Sequence, residues 1–193
     1  MGASILRCVT DLVLDPTQSR VRIQTFAEGL LARLAHDLEL TCRDLGGTAT
    51  SEGKSGKGSI AVPLGGMTVA GVLKDGRVDD RALSATERRD IVAKMQHDVF
   101  HAGPEGVVRV EVHLDGGSAR IRIVPPNGRA VETVIQAELR PDGAAVRATG
   151  SFEVSLMALG SEVVKGPMNA FRVKDKVRLT FDVVFAEVPP QPA

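Results

Sequence analysis

The stretch DKVRLTFDVVFAE, residues 175–187, decides the fold. Val177, Leu179, Phe181, Val183 and Phe185 take every second place, with Lys176, Arg178, Thr180 and Asp182 between them. A β-strand sends successive side chains to opposite faces, so this segment reads as a strand with one dry face and one wet face. The same beat of two recurs in several other segments. Together they predict an antiparallel sheet, apolar on one side and charged on the other, whose simplest way to remove its edges is to curl into a barrel.

Outward from that strand the pattern predicts the following order. Val21 and Ile23 alternate with Arg20, Arg22 and Gln24 in a first strand. Thr25 followed by Glu28 has capping-box spacing and predicts a short helix carrying Leu30, Leu31 and Leu34. Leu38, Leu40 and Cys42 then share one face, with His36 at the same parity. Gly46 and Gly47 are read as the end of that strand, and residues 51–58, SEGKSGKG, as a polar loop. Ile60, Val62 and Leu64 run into a Gly65-Gly66 turn and back along 67–73 as a hairpin, followed by a charged connector over 77–81. Ser84 and Glu87 form a second capping box and open the one substantial helix, reaching about Ala102 before Gly103-Pro104. Two further hairpins occupy 108–123 and 131–152, turning at 115–117 and 141–143. Residues 155–170 are irregular and should lap over one end. The count is about eight or nine strands.

Composition narrows the function. The chain has 193 residues, enough for one large all-β domain, and its 24 Lys and Arg balance its 24 Asp and Glu. There is no net field to attract a polyanion, so nucleic acid is not an expected partner. The first residues, MGASILRCVTDLVLDP, lack the long apolar core of a secretory signal, and no run approaches the ~18 apolar residues of a membrane-spanning helix. Cytoplasmic localisation is the expectation. Cys8 and Cys42, the two cysteines, suit free thiols rather than a disulfide framework.

A small antiparallel barrel is either filled by its own side chains or holds one ligand. Aromatic residues make up 3% of this chain, with no Trp or Tyr, and the inward faces flanking Pro141 carry mostly Val, Thr, Ala and Gly. Small residues on a concave face leave apolar space for an apolar guest. The competing arrangement plugs that space with the helix near 87–101 or with 155–170. Thirteen residues at ~3.3 Å each, tilted by ~40°, give a wall roughly 30 Å tall, suited to a long tail. Burying hydrocarbon contributes about 0.8 kcal/mol per CH₂ without any charged group. The residues expected to meet a ligand are Leu38 and Leu40; Thr133 and Ile135; Val146, Ala148 and Phe152; and Phe181 and Val183. His36 would read a head group.

Two segments, TFAEGLLARLAHDLEL (25–40) and 150–185 ending in FRVKDKVRLTFDVVF, resemble the YceI-like family, as does LSATERRDIVAKMQHDVFHAGPEGVVRVEV (83–112). Glu28, Gly29, Leu30, Leu31, Ala35, His36, Asp37 and Leu38 match the branch of that family with an EGLLxxxAHDL segment. The resemblance implies a lipocalin-like extended antiparallel β-barrel over residues 12–188, with flexible termini at 1–11 and 189–193. It also implies a non-enzymatic protein that binds, transports or stores a polyisoprenoid or quinone-like lipid. It supplies no catalytic residue and no cofactor beyond a bound isoprenoid, and it leaves homodimer formation open.

Two readings from other classes compete. One is a packed barrel serving as a protein-interaction module. The other is a metal-dependent hydrolase using His97 and His101, which have the i, i+4 spacing of zinc ligands. Against the latter, Asp98 is shorter than the usual catalytic Glu, and His101 falls in the last helical turn, where histidine is favoured by the dipole.

Overall fold

The computed structural model describes residues 9–29, 36–52, 54–142, 145–165 and 172–188. Strands β1 (Thr10–Leu14) and β2 (Arg20–Thr25) form one line interrupted at 15–19. Both lie along the same edge of the last strand, whose other edge is paired over its whole length. β3 is the two-residue segment Ala27–Glu28, and β4 (Leu38–Cys42) pairs with β2. The hairpin of β5 (Gly46–Glu52) and β6 (Ser55–Pro63) follows, then a single 3-10 turn at Leu64–Gly66, β7 (Met67–Lys74) and β8 (Arg77–Asp79). After helix α1 (Ala85–Phe100) come β9 (Val107–Asp115), β10 (Ser118–Val124), β11 (Val131–Gln136), β12 (Glu138–Asp142) and β13 (Ala145–Ser155). The two-residue β14 (Arg172–Val173) and the long β15 (Lys176–Glu187) complete the order.

Thirteen of these strands form one strongly curled antiparallel sheet, and β3 pairs with β14 separately. Counting β1 with β2, and β11 with β12, as interrupted lines leaves eleven strands. Eight of those lines follow one another around the curl: β1, β5, β6, β9, β10, β11/β12, β13 and β15. The branch β4–β7–β8 leaves from β2. The expected lipocalin-like, all-β architecture with one inserted helix is what the chain adopts.

The alternation of the last strand is kept, with one exception. Val177, Val183 and Phe185 are buried at inward parity, but Val184, at outward parity, is buried as well. The interruption at 15–19 causes this: Asp15 N–H donates to the Val184 carbonyl (2.8 Å), and Val184 N–H donates to Ser19 Oγ (3.0 Å). On the outer face, cross-strand ion pairs join Arg147 to Asp182 (2.7 Å) and Arg122 to Glu111 (3.0 Å).

Five local expectations are corrected. Thr25 and Glu28 do not cap a helix, because Thr25 lies buried in β2 and Glu28 in β3, paired with Arg172 at 2.6 Å; Leu30, Leu31 and Leu34 fall outside the described residues. Non-local pairing overrides the cap spacing. Residues 51–52 and 55–58 are no loop but strand residues at the end of the β5–β6 hairpin, with Glu52 paired to Ser55. The hairpin's glycines answer close strand approach: a Cβ on Gly47 would sit 2.5 Å from the Ser59 carbonyl oxygen. Strands β6 and β7 do not pair across Gly65-Gly66, since β6 joins β5 and β9 while β7 joins β4 and β8. Residues 77–79 of the expected connector are the edge strand β8. The strand expected through 131–139 breaks at Ala137, whose N–H donates to the Gly117 carbonyl (3.1 Å).

Helix α1 starts as read, with Ser84 accepting from Glu87 N–H and the Glu87 carboxylate accepting from Ser84 N–H (2.8 Å). It ends at Phe100, two residues short of expectation, because His101 adopts a left-handed conformation (φ 49°). Met95, Gln96, Val99 and Phe100 bury its C-terminal half. Near its start, Arg88 reaches the carbonyls of Val69, Ala70, Asp80 and Leu83. Residues 156–165 lap over the same end of the sheet as expected, burying Leu156, Leu159 and Val164 in one cluster with Leu64, Val99 and Phe100. Asp175 Oδ1 holds the lap by accepting from Ser155 Oγ (3.0 Å) and Met157 N–H (2.8 Å). No helix among the described residues is long and apolar enough to cross a membrane.

Candidate functional site

The inward side chains of β13, β15 and β2 make one apolar wall. On β15, Phe181 stands between Gly150 of β13 and Val21 of β2; Leu179 stands between Phe152 and Ile23; Val183 faces Ala148; and Phe185 faces Val146. Beyond β2 the rows continue through Ile23 to Leu40 and through Val21 to Cys42. Packing is uneven along these rows. Leu40 and Cys42 are fully buried, whereas Val21, Ile23, Leu179, Phe181, Phe152, Val146 and Ala148 are only half-buried although all face inward. Inward apolar atoms that stay partly accessible are surface the protein's own side chains do not cover.

Two local features shape the wall. The Phe152 and Phe181 rings meet edge to face, with centroids 6.4 Å apart. Gly150 makes room for them, since a Cβ there would lie 2.6 Å from Phe181 Cζ. The opposite wall is made by β6, β9, β10 and β11, where Thr133 faces Ile121 and Ile135 faces Ala119. Among the described residues of β1, β2, β9, β10, β11, β13 and β15, the one charged side chain at inward parity is exposed Glu187, the last residue of β15. Burying an unpaired charge there would be costly, so the surface suits an uncharged guest.

Of the residues singled out from the sequence, the register gathers Val146, Ala148, Phe152, Phe181 and Val183 on this wall and Thr133 and Ile135 across from it. Leu38 and Leu40 extend it through β4. His36 is exposed and lies outside β4. Its neighbour Asp37 accepts from Ala27 N–H (2.8 Å) and so ties β3 to the start of β4. Val21, Ile23, Leu179 and Gly150 were not singled out. They belong to the site through pairing partners, and the one local signal was a glycine inside a strand pattern.

The histidine pair takes separate partners. His97 Nδ1 lies 2.9 Å from Asp98 Oδ1, and Asp98 also pairs with Lys94, which together hold its carboxyl below the usual range. His101 leaves the helical path and turns Nε2 to the Gly160 carbonyl (3.2 Å). Among the described residues no three His, Cys, Asp or Glu side chains are grouped to hold a metal ion. A separate open trough of about 450 Å³ lies over the row Leu12, Ala49, Gly58 and Val112. Exposed Thr48, Thr50, Lys57, Ser59 and His113 rim it, so it belongs to the polar outer face. Cys42 is sealed between β2 and β7, and burial pushes its thiol up to about 12.

The curled sheet, its wall and helix α1 define a lipocalin-like fold. The same fold is found in BcnA of Burkholderia cenocepacia, with a TM-score of 0.61 and 12% identity over 89% of this chain and 98% of that one. It is also found in a polyisoprenoid-binding domain from Saccharophagus degradans implicated in plant cell wall breakdown, with a TM-score of 0.60 and 9% identity over 92% of this chain and 98% of that one. No protein-family model matches the sequence, and no curated protein does.

Proposed function

We propose that this protein binds a long, uncharged isoprenoid lipid, a polyisoprenoid or the tail of a quinone-like molecule, against the wall of β13, β15 and β2. It transports or stores that lipid without transforming it. The observation that carries the reading is the half-buried state of inward Val21, Ile23, Leu179, Phe181, Phe152 and Ala148. A tail laid along them would remove their exposed area from water at about 25 cal/mol per Å² and gain dispersion contacts. The likeness to a polyisoprenoid-binding domain supports the reading at the level of fold.

Organic extraction of the purified protein, followed by mass spectrometry, tests it together with titration of delipidated protein by a fluorescent polyprenol. Recovery of an isoprenoid, or saturable binding weakened by Phe181→Asp, is the expected result. Protein that purifies empty and ignores the added polyprenol would refute the proposal.

A further inference from the structure

The wall has an opening in its side. Strand β13 pairs with β15 from Ala145 to Ser155, but with β12 only from Ala145 to Thr149. On the other side β11 pairs with β10 from Val131 to Gln136 and with nothing else. Above the break at Ala137, the edge of β11 therefore faces the edge of β13, and the two share no ladder. The gap is framed on all four sides. Its floor is the pairing of Glu138 with Thr149, its flanks are 131–136 and 150–155, and its roof is the turn 156–160, fastened across by Asn127 Nδ2 donating to the Leu159 carbonyl (2.9 Å). Gln136 and Gly150 close on each other at its foot, where a Cβ on Gly150 would lie 3.5 Å from the Gln136 carbonyl oxygen, so residues 131–135 at ~3.3 Å each make this window roughly 16 Å tall.

Behind the window lie Phe152, Phe181 and Leu179, part of the half-buried wall, with Val131 and Thr133 on its far flank also half-buried. The end of the sheet above it is shut by the lap that buries Leu156, Leu159 and Val164 and is tied to the end of α1 by Ser161 Oγ donating to the Asp98 carbonyl (3.3 Å), so a chain arriving there would have to dismantle buried packing. Unpaired strand edges invite pairing with other chains, and outward Glu132 and Glu153 guard these.

We propose that the window between β11 and β13 is the side port through which the lipid chain enters and leaves, lying broadside along the barrel rather than threading an end. This rests on the cargo reading above and adds its route. In a Cys8→Ser background, with Cys42 buried, Val134→Cys and Glu153→Cys stand on opposite flanks. Continuing the β12–β13 register would set these two residues face to face, and both native side chains are exposed. Bridging them with a short bismaleimide, and following a fluorescent polyprenol by stopped flow, measures exchange. The bridge is expected to slow uptake and release tenfold or more and to trap polyprenol when closed after loading. The two single-cysteine variants and the unbridged double variant should exchange at the parent rate. Rates within twofold after bridging overturn the port while leaving the cargo reading intact. Bridged protein that exchanges normally but loses a dimer assigns the window to a strand of a second copy, and also overturns the port. Failure of every form, parent included, to bind the polyprenol overturns both.

Discussion

Gly150 gives up a side chain so that Phe181 can lay its ring over β13. Replacing it by Ala puts a methyl into the ring's place, and overpacking of this kind costs about 1–3 kcal/mol. Urea unfolding of Gly150→Ala should show a loss in that range, and polyprenol binding should weaken as Phe181 tilts into the space before it; unchanged stability would mean the ring can move aside freely. Arg88 is a second such residue. It holds carbonyls at Val69 and Ala70, where β7 carries an extra residue against β4, so Glu39 faces Gly71 while Leu40 faces Val69. Hydrogen bonds from a charged donor are worth about 1.5–3 kcal/mol. Arg88→Met should therefore cost about 2 kcal/mol in the same assay, and a cost near zero would show that water serves those carbonyls equally well. Cys42 supplies a pH test. Its folded thiol titrates near 12 against 9.0 when free, because burial disfavours the thiolate. A raised folded value means that its contribution to stability is complete below pH 9 and is lost as pH climbs from 9 towards 12. The Cys8→Ser protein should be inert to a thiol reagent at pH 8 until denaturant is added; prompt native labelling would contradict the burial.

Among the elements, α1 and the β9–β10 hairpin were readable in the sequence because their signals are local. Ser84→Ala removes the helix cap and should cost about 1 kcal/mol of stability. Hydrogen bonds from Ser84 hold the Glu87 carboxyl below the usual range, so the stability this cap contributes is present above pH 4.5 and falls as pH drops through the folded value. Urea midpoints of parent and Glu87→Gln should then converge in acid, whereas a constant difference down to pH 3 would place the effect elsewhere. The β9–β10 hairpin was equally plain, with alternating Val108, Val110, Val112 and Leu114 returning through Gly116-Gly117 to Ile121 and Ile123. What could not be read was set by distant partners. Gly47 looks like a turn residue until Ser59 is seen against it, and Thr25 and Glu28 look like a cap until Leu38 and Arg172 pair with them. The site was legible by parity, which selects inward residues, but parity does not say which of them remain uncovered. Leu40 and Ile23 face each other across one ladder, yet one is sealed and the other half-open. Leu40 lies beside Val69 of β7, the strand on which α1 packs, and that cover leaves no trace in the pattern of β4.

At the scale of the whole molecule, balanced charge and an uncharged interior together define how binding must behave. With 24 charges of each sign and inward rows that carry no charge short of exposed Glu187 at the end of β15, attraction to the tail is apolar and depends on chain length rather than on salt. β15 spans Lys176–Glu187, and its length tilted as in a barrel gives a wall roughly 30 Å tall. Each CH₂ removed from water contributes about 0.8 kcal/mol, so affinity should climb steeply with every added isoprene unit while the chain still fits. Once the chain outgrows the wall, further units remain in water and add nothing. Competition between a fluorescent polyprenol and a series of unlabelled prenols of increasing length should therefore give a rise followed by a plateau, with little change between 50 mM and 500 mM salt, although the Debye length falls from about 14 Å to about 4 Å over that range. A series that keeps tightening beyond the wall's height would mean the chain lies on an open surface instead. A strong fall with salt would move the recognised group to the charged exterior.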